Sequence, residues 1–353
     1  MNQTKNKVTR VLAVETSCDD TSVAIVESSG QVLTMVSAHQ DLEHAPYGGI
    51  VPEIASRNHS LSLLPLIQHC LDKAGLSWSD IQGLAVTNRP GLIGSLIVGI
   101  MTLKSISQAY GIPLIGVNHL EGHLLAPFLK DESYLPPADF NYPYIALAVS
   151  GGHTSLYWVK GFSDYVVIGS TKDDAAGEAF DKFAKMVGLG YPGGVQVDQC
   201  AKLGDKNKFQ FPRSLILEDN LMMSFSGLKS AAHRLLEKMP KEQIDSDRNN
   251  LCASFQEAIV DVLVSKTLKA AGRYSCNRLV ITGGVSANSR LREKFSELLP
   301  NYQIVCPPIR YCTDNAAMIG YAGLLRLNRG ESNDLLLGPS SQLYEKDFSY
   351  DLQ

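Results

Sequence analysis

With 353 residues, 44% of them hydrophobic and 19% charged, the chain has ordinary globular composition, and at that length two lobes of roughly 150 residues are expected rather than one core. A formal net charge of −4 excludes a protein that coats nucleic acid with its whole surface, so any RNA contact must come from a local patch. No apolar stretch reaches the roughly 18 to 20 residues of a membrane span, and the polar opening at 1–7 lacks the apolar core of a secretion signal; a cytoplasmic location without membrane contact is the expectation.

Residues 8–15 read as a buried strand and 21–27 as the next, around the polar turn Thr16-Ser17-Cys18-Asp19-Asp20. A third strand at about 31–38 completes a meander. Residues 60–74 carry apolar side chains at helical spacing and stop at Gly75. A short apolar strand at 83–87 runs into the turn signature Asn88-Arg89-Pro90-Gly91. An apolar helix follows at 95–110 and a further strand at 113–117. This β-β-β-α-β-α-β order predicts a mixed sheet covered by helices.

The pattern then restarts. Residues 144–149 and 154–159 read as strands around Ser150-Gly151-Gly152-His153, with a third at 165–170. Ala13-Val14-Glu15-Thr16-Ser17 and Ala148-Val149-Ser150-Gly151-Gly152 open equivalent hairpins, the mark of a duplicated lobe. A long helical pattern covers 251–271, followed by a strand at 278–282, a Gly283-Gly284 turn and a helix at 288–299. The proline-rich stretch 133–143 is the best linker. The expected domains are 1–132 plus 313–353 for the first lobe and 140–312 for the second. The expected fold is α/β, two duplicated RNase H-like lobes around a central cleft, as in the actin, Hsp70 and sugar-kinase superfamily.

Three groups of residues offer chemistry. In Asn118-His119-Leu120-Glu121-Gly122-His123, two histidines four apart share one helix face, close enough to reach one metal. A pair of core or solvated histidines is the alternative. The zinc-protease motif H-E-x-x-H is not met, because Leu120 follows the first histidine and Glu121 is turned about 100° further round. Asp314, at a strand-to-helix junction, is the best third ligand, and such a two-histidine, one-carboxylate set suits iron or zinc.

The second group is the glycine-bearing turns. Ser150-Gly151-Gly152-His153-Thr154, Gly190-Tyr191-Pro192-Gly193-Gly194 and Thr282-Gly283-Gly284-Val285-Ser286-Ala287-Asn288 offer backbone N–H groups and close approach for a phosphate. Each alone is an ordinary turn; together with the Thr16 to Asp20 turn they point to a nucleotide. Neither a G-x-x-x-x-G-K-[ST] run nor a G-x-G-x-x-G after the first strand occurs. The third group is charged. Glu178 and Asp181 share a helix face and suit ribose hydroxyls or the helix dipole. Lys206, Lys208, Arg213, Lys229 and Arg234 are either a solvated face or an RNA patch. Seven scattered cysteines without C-x-x-C spacing read as reduced thiols.

These residues resemble a known family. Glu15-Thr16-Ser17-Cys18-Asp19-Asp20-Thr21, His44-Ala45-Pro46-Tyr47-Gly48-Gly49, the run from Asn118 to His123, Ser150 to Thr154, Gly177 to Lys182, Phe225-Ser226-Gly227-Leu228-Lys229 and Gly283 to Asn288 are similar to the TsaD family. Its members are tRNA N6-adenosine threonylcarbamoyltransferases, once labelled O-sialoglycoprotein endopeptidases. The resemblance runs from about residue 10 to 326. It implies His119, His123 and Asp314 as ligands of one divalent metal ion per subunit, iron (Fe2+) or zinc. It implies Val149, Ser150, Gly151, Gly152, His153, Asp181, Gly194 and Asn288 as the adenylate site, with Asp198 at the ribose, and Asp19 as an acidic catalytic residue. The implied substrates are threonylcarbamoyl-AMP and the anticodon loop of tRNAs reading codons that begin with A, modified at adenosine 37 with release of AMP. The implied partners are a TsaB-like paralogue and a TsaE-like ATPase. Val195 departs from the pattern, standing where the family often has proline.

Three other functions compete with this one. A metalloprotease would use the histidine pair but lacks its base, a small-molecule kinase of the same superfamily would release ADP, and a non-catalytic scaffold would not need the two histidines. Fold alone does not choose among them.

Overall fold

Runs such as Val11-Leu12-Ala13-Val14 and Val23-Ala24-Ile25-Val26, buried without exception, can only be strands covered on both faces. The computed structural model describes residues 7–298, 301–342 and 347–352, and the chain divides into two units, Met1–Ala138 with Arg310–Tyr344, and Asp139–Ile309 with Glu345–Gln353. The last described residues, 347–352, thus belong to the second unit, whereas the sequence reading keeps all of 313–353 with the first.

The first unit holds β1 (Arg10–Glu15), β2 (Thr21–Glu27), β3 (Val32–Ala38), β4 (Gly83–Arg89) and β5 (Leu114–Asn118), in the order β3-β2-β1-β4-β5. The meander β1-β2-β3 is antiparallel, while β4 and β5 run parallel to β1. Side chains alternate across the sheet. Leu12, Val14, Val23 and Ile25 meet Leu63 and Ile67 of the helix Pro52–Ala74 and Leu96 and Ile100 of the helix Ile93–Tyr110. The opposite face takes the helix Ala316–Asn328, which comes close because its contact residues are small. A Cβ on Gly323 would lie 2.4 Å from the Ala85 Cβ, and one on Gly320 would lie 2.9 Å from Val26.

In the second unit, β6 (Tyr144–Val149), β7 (Thr154–Gly161), β8 (Asp164–Ser170), β9 (Arg278–Thr282), β10 (Gln303–Val305) and β11 (Ser349–Tyr350) are ordered β10-β9-β6-β7-β8-β11. Without β11, strands β6 to β10 repeat the order and directions of β1 to β5, so the duplication read from two hairpin turns is a duplication of topology. Strand β11 adds in parallel to β8. The core is aromatic: Phe183 stacks on Phe255 of the long helix Lys241–Arg273 at 3.9 Å, with Phe211 edge-on at 5.6 Å. Among the described residues no helix is long and apolar enough to cross a membrane.

Candidate functional site

In sheets of this kind, ligands gather at the carboxyl ends of the parallel strands. In the first unit β1, β4 and β5 end at Glu15, Arg89 and Asn118, and there the chemistry collects. Asn118 closes β5 and caps the next helix, its side chain accepting the Leu120 N–H at 2.9 Å. That helix, His119–Leu125, is buried throughout, so both histidines are held in an apolar wall. Their rings are edge to face with centroids 4.7 Å apart.

Asp314 reaches the same point from the other end of the chain. It lies between the single turn Ile309–Cys312 and the helix Ala316–Asn328, so the strand-to-helix junction expected there is a helix-to-helix turn. Asn315 caps the second helix by accepting the Met318 N–H at 3.0 Å, and Ser22 accepts the Ala316 N–H at 3.1 Å. Asp314 Oδ1 then stands 3.3 Å from His119 Nε2 and 3.4 Å from His123 Nε2. The three ligand atoms lie within 4.8 Å of one another, a possible metal site.

Two observations show that the set fits a cation. First, both ring nitrogens of His123 are buried and neither makes a well-formed hydrogen bond, the nearest polar group being Asp314 Oδ1 at 3.4 Å from Nε2, an arrangement that a cation between the two would satisfy. Burial also lowers the His123 pKa, keeping the ring neutral and able to ligate. Second, Glu15 sets the tautomer of His119. This fully buried carboxylate accepts from His119 Nδ1 at 3.0 Å, so Nδ1 holds a proton and Nε2 is aimed at Asp314. An imidazole lone pair facing a carboxylate requires a positive charge between them. Without a metal a proton takes that place: burial opposes it, but Asp314 and Glu15 together hold the His119 pKa well above its ordinary value. The same pairing keeps Asp314 well below the usual carboxylate range against its burial.

Glu15 is itself pinned, its other partners being the Ser17 N–H and the Thr87 hydroxyl. The turn after it is gripped by His59 of the helix Pro52–Ala74, which engages the Cys18 carbonyl at 2.9 Å and the Thr21 hydroxyl at 2.7 Å. Burial raises the Asp19 carboxyl above its usual range, which makes it a stronger base. Burial pushes Asp20 up to about 7 despite His39 at 2.9 Å. The Cys18 thiol is driven far up by burial and by Asp19, which removes it as a nucleophile. Glu15, His59 and Thr87 support this site and are residues that spacing did not single out.

Glu121 is engaged elsewhere. It is buried and bound by Arg326, whose Nε and Nη2 both lie 2.8 Å from Oε2. A protease base must be free to take a proton from water, so this geometry disfavours proteolysis.

In the second unit β6 and β9 end side by side at Val149 and Thr282. Gly283 has φ +86°, and a Cβ there would lie 2.4 Å from the Val149 carbonyl oxygen, so only glycine fits. The turn Ser150-Gly151-Gly152-His153 closes on itself, the Ser150 N–H donating to the His153 carbonyl at 2.8 Å. Nothing lies within 4 Å of where Cβ atoms on Gly151 or Gly152 would be. Their backbone is therefore open to approach. The helix Ala176–Met186 abuts this turn, with Thr154 Oγ1 accepting the Ala176 N–H at 2.9 Å.

Asp181 and Glu178 part company. Asp181 Oδ1 accepts from the Gly193 and Gly194 N–H groups at 2.8 and 3.3 Å, while Glu178 pairs with Lys182. Asp198 Oδ1 accepts the Ser289 hydroxyl at 2.7 Å. Asn288 caps the helix Ser289–Ser296 and donates to Gln256 at 2.7 Å. These three polar residues thus also lock together the elements that carry the glycine turns. Val195 sits exposed in the first turn of the helix Gly193–Ala201. Four of the five basic residues have carboxylate partners: Lys206 pairs with Glu257, Lys208 with Asp247, Arg213 with Asp261 and Lys229 with Asp174. All seven cysteines are free.

Residues 31–321 match the model of the family TsaD, tRNA N6-adenosine threonylcarbamoyltransferase. The chain is 62% identical over 343 residues to the tRNA N6-adenosine threonylcarbamoyltransferase of Bdellovibrio bacteriovorus, covering 97% of this chain and 99% of that protein. It is 49% identical over 329 residues to the enzyme of that name from Anaeromyxobacter dehalogenans, covering 92% and 96%. Among solved structures, HypF of T. kodakarensis shares the fold at TM-score 0.61 and 11% identity, covering 92% of this chain and 48% of that one. The chain belongs to the TsaD family of tRNA N6-adenosine threonylcarbamoyltransferases, enzymes that form N6-threonylcarbamoyladenosine in tRNA.

Proposed function

We propose that the chain transfers the threonylcarbamoyl group of threonylcarbamoyl-AMP to N6 of adenosine 37, in tRNAs reading codons that begin with A, by a direct, metal-assisted attack. The carrying observation is the convergence of the buried His119 and His123 with Asp314, their ligand atoms within 4.8 Å of one another, and the absence of any well-formed hydrogen bond to the His123 ring. The donor set suits iron (Fe2+) first and zinc second. When bound, such an ion supplies a Lewis acid that polarises the carbamoyl carbonyl.

The chain's own residues do the rest. Glu15 fixes the His119 tautomer. Asp19, its basicity raised by burial, accepts the proton that N6 loses as the new N–C bond forms. The bond from the carbamoyl carbon to the phosphate oxygen breaks, and AMP leaves. The N–H groups of the Ser150 to His153 turn are the candidates to receive the phosphate, beside the first turn of the helix Ala176–Met186. Val149, Gly194 and Asn288 then border the nucleoside, and Asp181 and Asp198 fix the turns around it. No covalent enzyme intermediate enters, in keeping with the raised Cys18 pKa.

An RNA-modifying role fits a cytoplasmic protein. The implied TsaB-like and TsaE-like partners need a docking surface, and an apolar stripe supports one. Ile93, Ile97 and Met101 are 42%, 43% and 54% exposed at i, i+4 and i+8 of one helix, with Leu61 and Leu64 exposed on the neighbouring helix.

The test is reconstitution: the chain with its carrier partners, threonine, bicarbonate, ATP and unmodified tRNA, followed by nucleoside analysis. Modified adenosine with AMP release is expected, and Asp19→Asn is expected to bind the adenylate yet transfer slowly. ADP as the sole nucleotide product, or full turnover in Asp19→Asn, overturns the respective part.

A further inference from the structure

Two of the three candidate ligands ride on a helix buried throughout, but Asp314 rides on a turn between helices. A ligand on a turn is only as well placed as the contacts that fix the turn on both sides. After Asp314, the Asn315 cap and the Ser22 hydroxyl fix it. Before Asp314, the contacts converge on Asp131, a side chain that the mechanism above leaves unused.

Arg310 Nε and Nη2 donate to Asp131 Oδ2 at 3.0 and 2.7 Å, and Nη2 also reaches Oδ1 at 3.0 Å. The Tyr311 hydroxyl donates to the same Oδ2. On the other oxygen, the Ser133 N–H and hydroxyl each donate at 2.8 Å, which fixes the rotation of the carboxylate. Arg310 and Tyr311 belong to the single turn Ile309–Cys312 that leads into Asp314. A forked guanidinium on a carboxylate holds direction as well as charge, unlike most surface ion pairs. Tyr311 is 1% exposed, so its hydroxyl depends on that acceptor.

Asp131 is itself planted on the sheet. Lys130, just before it, donates to the Gly30 carbonyl at 3.0 Å and accepts the Val32 N–H at 2.8 Å, at the start of β3. Gly30 has φ +80°, and a Cβ there would lie 2.5 Å from the Phe128 carbonyl oxygen, so the chain comes in as close as glycine allows. This stretch continues, through the turn Ala126–Phe128, the helix that carries His119 and His123. The two-histidine segment and the Asp314 turn, far apart in sequence, are thus joined at Asp131 as well as at the ligands.

We propose that Asp131 is a positioning residue of the metal centre: by gripping Arg310 and Tyr311 it fixes the turn that presents Asp314 to His119 and His123. The proposal rests on the reading of those three residues as a metal site. A turn already in place spares ion binding the cost of ordering it.

The test measures Zn2+ affinity of the full chain by competition against a chromophoric chelator, with melting followed in parallel. Asp131→Asn keeps the size of the side chain and removes its charge and one acceptor oxygen. It is expected to weaken Zn2+ binding about 10-fold. In an Asp314→Ala background the same change is expected to cost less than about twofold, because Asp131 acts through that ligand. Should Asp131→Asn fail to fold, Tyr311→Phe decides: it keeps the buried ring, removes one contact of the grip and is expected to cost about threefold. Parent affinity in a folded Asp131→Asn, or in Tyr311→Phe where that variant decides, overturns the proposal. Equal losses in the two backgrounds also overturn it, since Asp131 would then support the fold at large. Parent affinity in Asp314→Ala alone rejects the metal site and the proposal with it. A weakened Asp314→Ala beside an unchanged Asp131→Asn rejects only the proposal.

Discussion

Glu15→Gln exchanges one oxygen of a fully buried carboxylate for an NH2 group, and no orientation of the amide satisfies its neighbours. The carboxylate now serves the His119 Nδ1–H and the Thr87 hydroxyl on Oε2 and the Ser17 N–H on Oε1. If the new NH2 faces His119, the imidazole must shift its proton to Nε2, the atom that should bind metal. If the NH2 faces Ser17 instead, two N–H groups oppose each other in the interior. Either outcome leaves one contact unmet. Losing such an orienting partner behind a metal-bound histidine weakens binding about 10- to 100-fold, or roughly 1.4 to 2.7 kcal/mol. The assay is competition of the purified protein against a chromophoric chelator for Zn2+, with Fe2+ measured under anaerobic conditions and melting followed in parallel. Unchanged metal affinity in a folded Glu15→Gln refutes the claim that Glu15 sets the His119 tautomer.

Three further outcomes follow from other contacts. Arg326→Leu strands Glu121 in the core without its partner, and a loss of about 3 to 5 kcal/mol is expected in denaturant unfolding. Burial pushes the Glu257 carboxyl up, but Arg290 and Lys294 more than reverse this and hold it down to about 2. Because that folded pKa lies below the unfolded one, the stabilisation is present above about pH 4.5 and fades as pH falls toward 2. Glu257→Gln should therefore lose stability at neutral pH and show a flatter acid limb in unfolding curves. On the exposed stripe, Ile97→Lys should weaken association with a TsaB-like partner in sedimentation while leaving melting within about 0.5 kcal/mol of the parent.

How much of this was legible in the sequence depended on the range of the contacts. Strands that alternate or run apolar between turn signals were placed to the residue at Thr21–Glu27, Tyr144–Val149 and Arg278–Thr282. Helices were cut short where they open on polar residues. Pro52–Ala74 starts eight residues before its apolar periodicity, and Lys241–Arg273 starts ten before. Those polar turns are held by tertiary contacts such as His59 with the Cys18 carbonyl, which no local pattern announces. The histidine pair was readable because i, i+4 spacing on a helix is itself geometry.

Asp314 was harder. It meets His119 only because a glycine-bearing helix crosses the sheet closely, at Gly320 and Gly323. The partner set of Glu15 lies 72 and 104 residues away at Thr87 and His119, so its role is visible only in the fold. The expected end of the helix at 299 lies outside the described residues. The parallel strand Ser349–Tyr350 is too short and too exposed to signal itself.

The central claim is that His119, His123 and Asp314 hold one ion per chain and that transfer depends on it. The direct measurement strips the purified enzyme with chelator, titrates Fe2+ or Zn2+ back, and follows metal content and modified nucleoside together, beside His123→Ala. One equivalent should restore transfer to the parent, while His123→Ala should bind no metal and form no product. Full transfer by the stripped enzyme, or a His123→Ala that keeps both metal and activity, would contradict it.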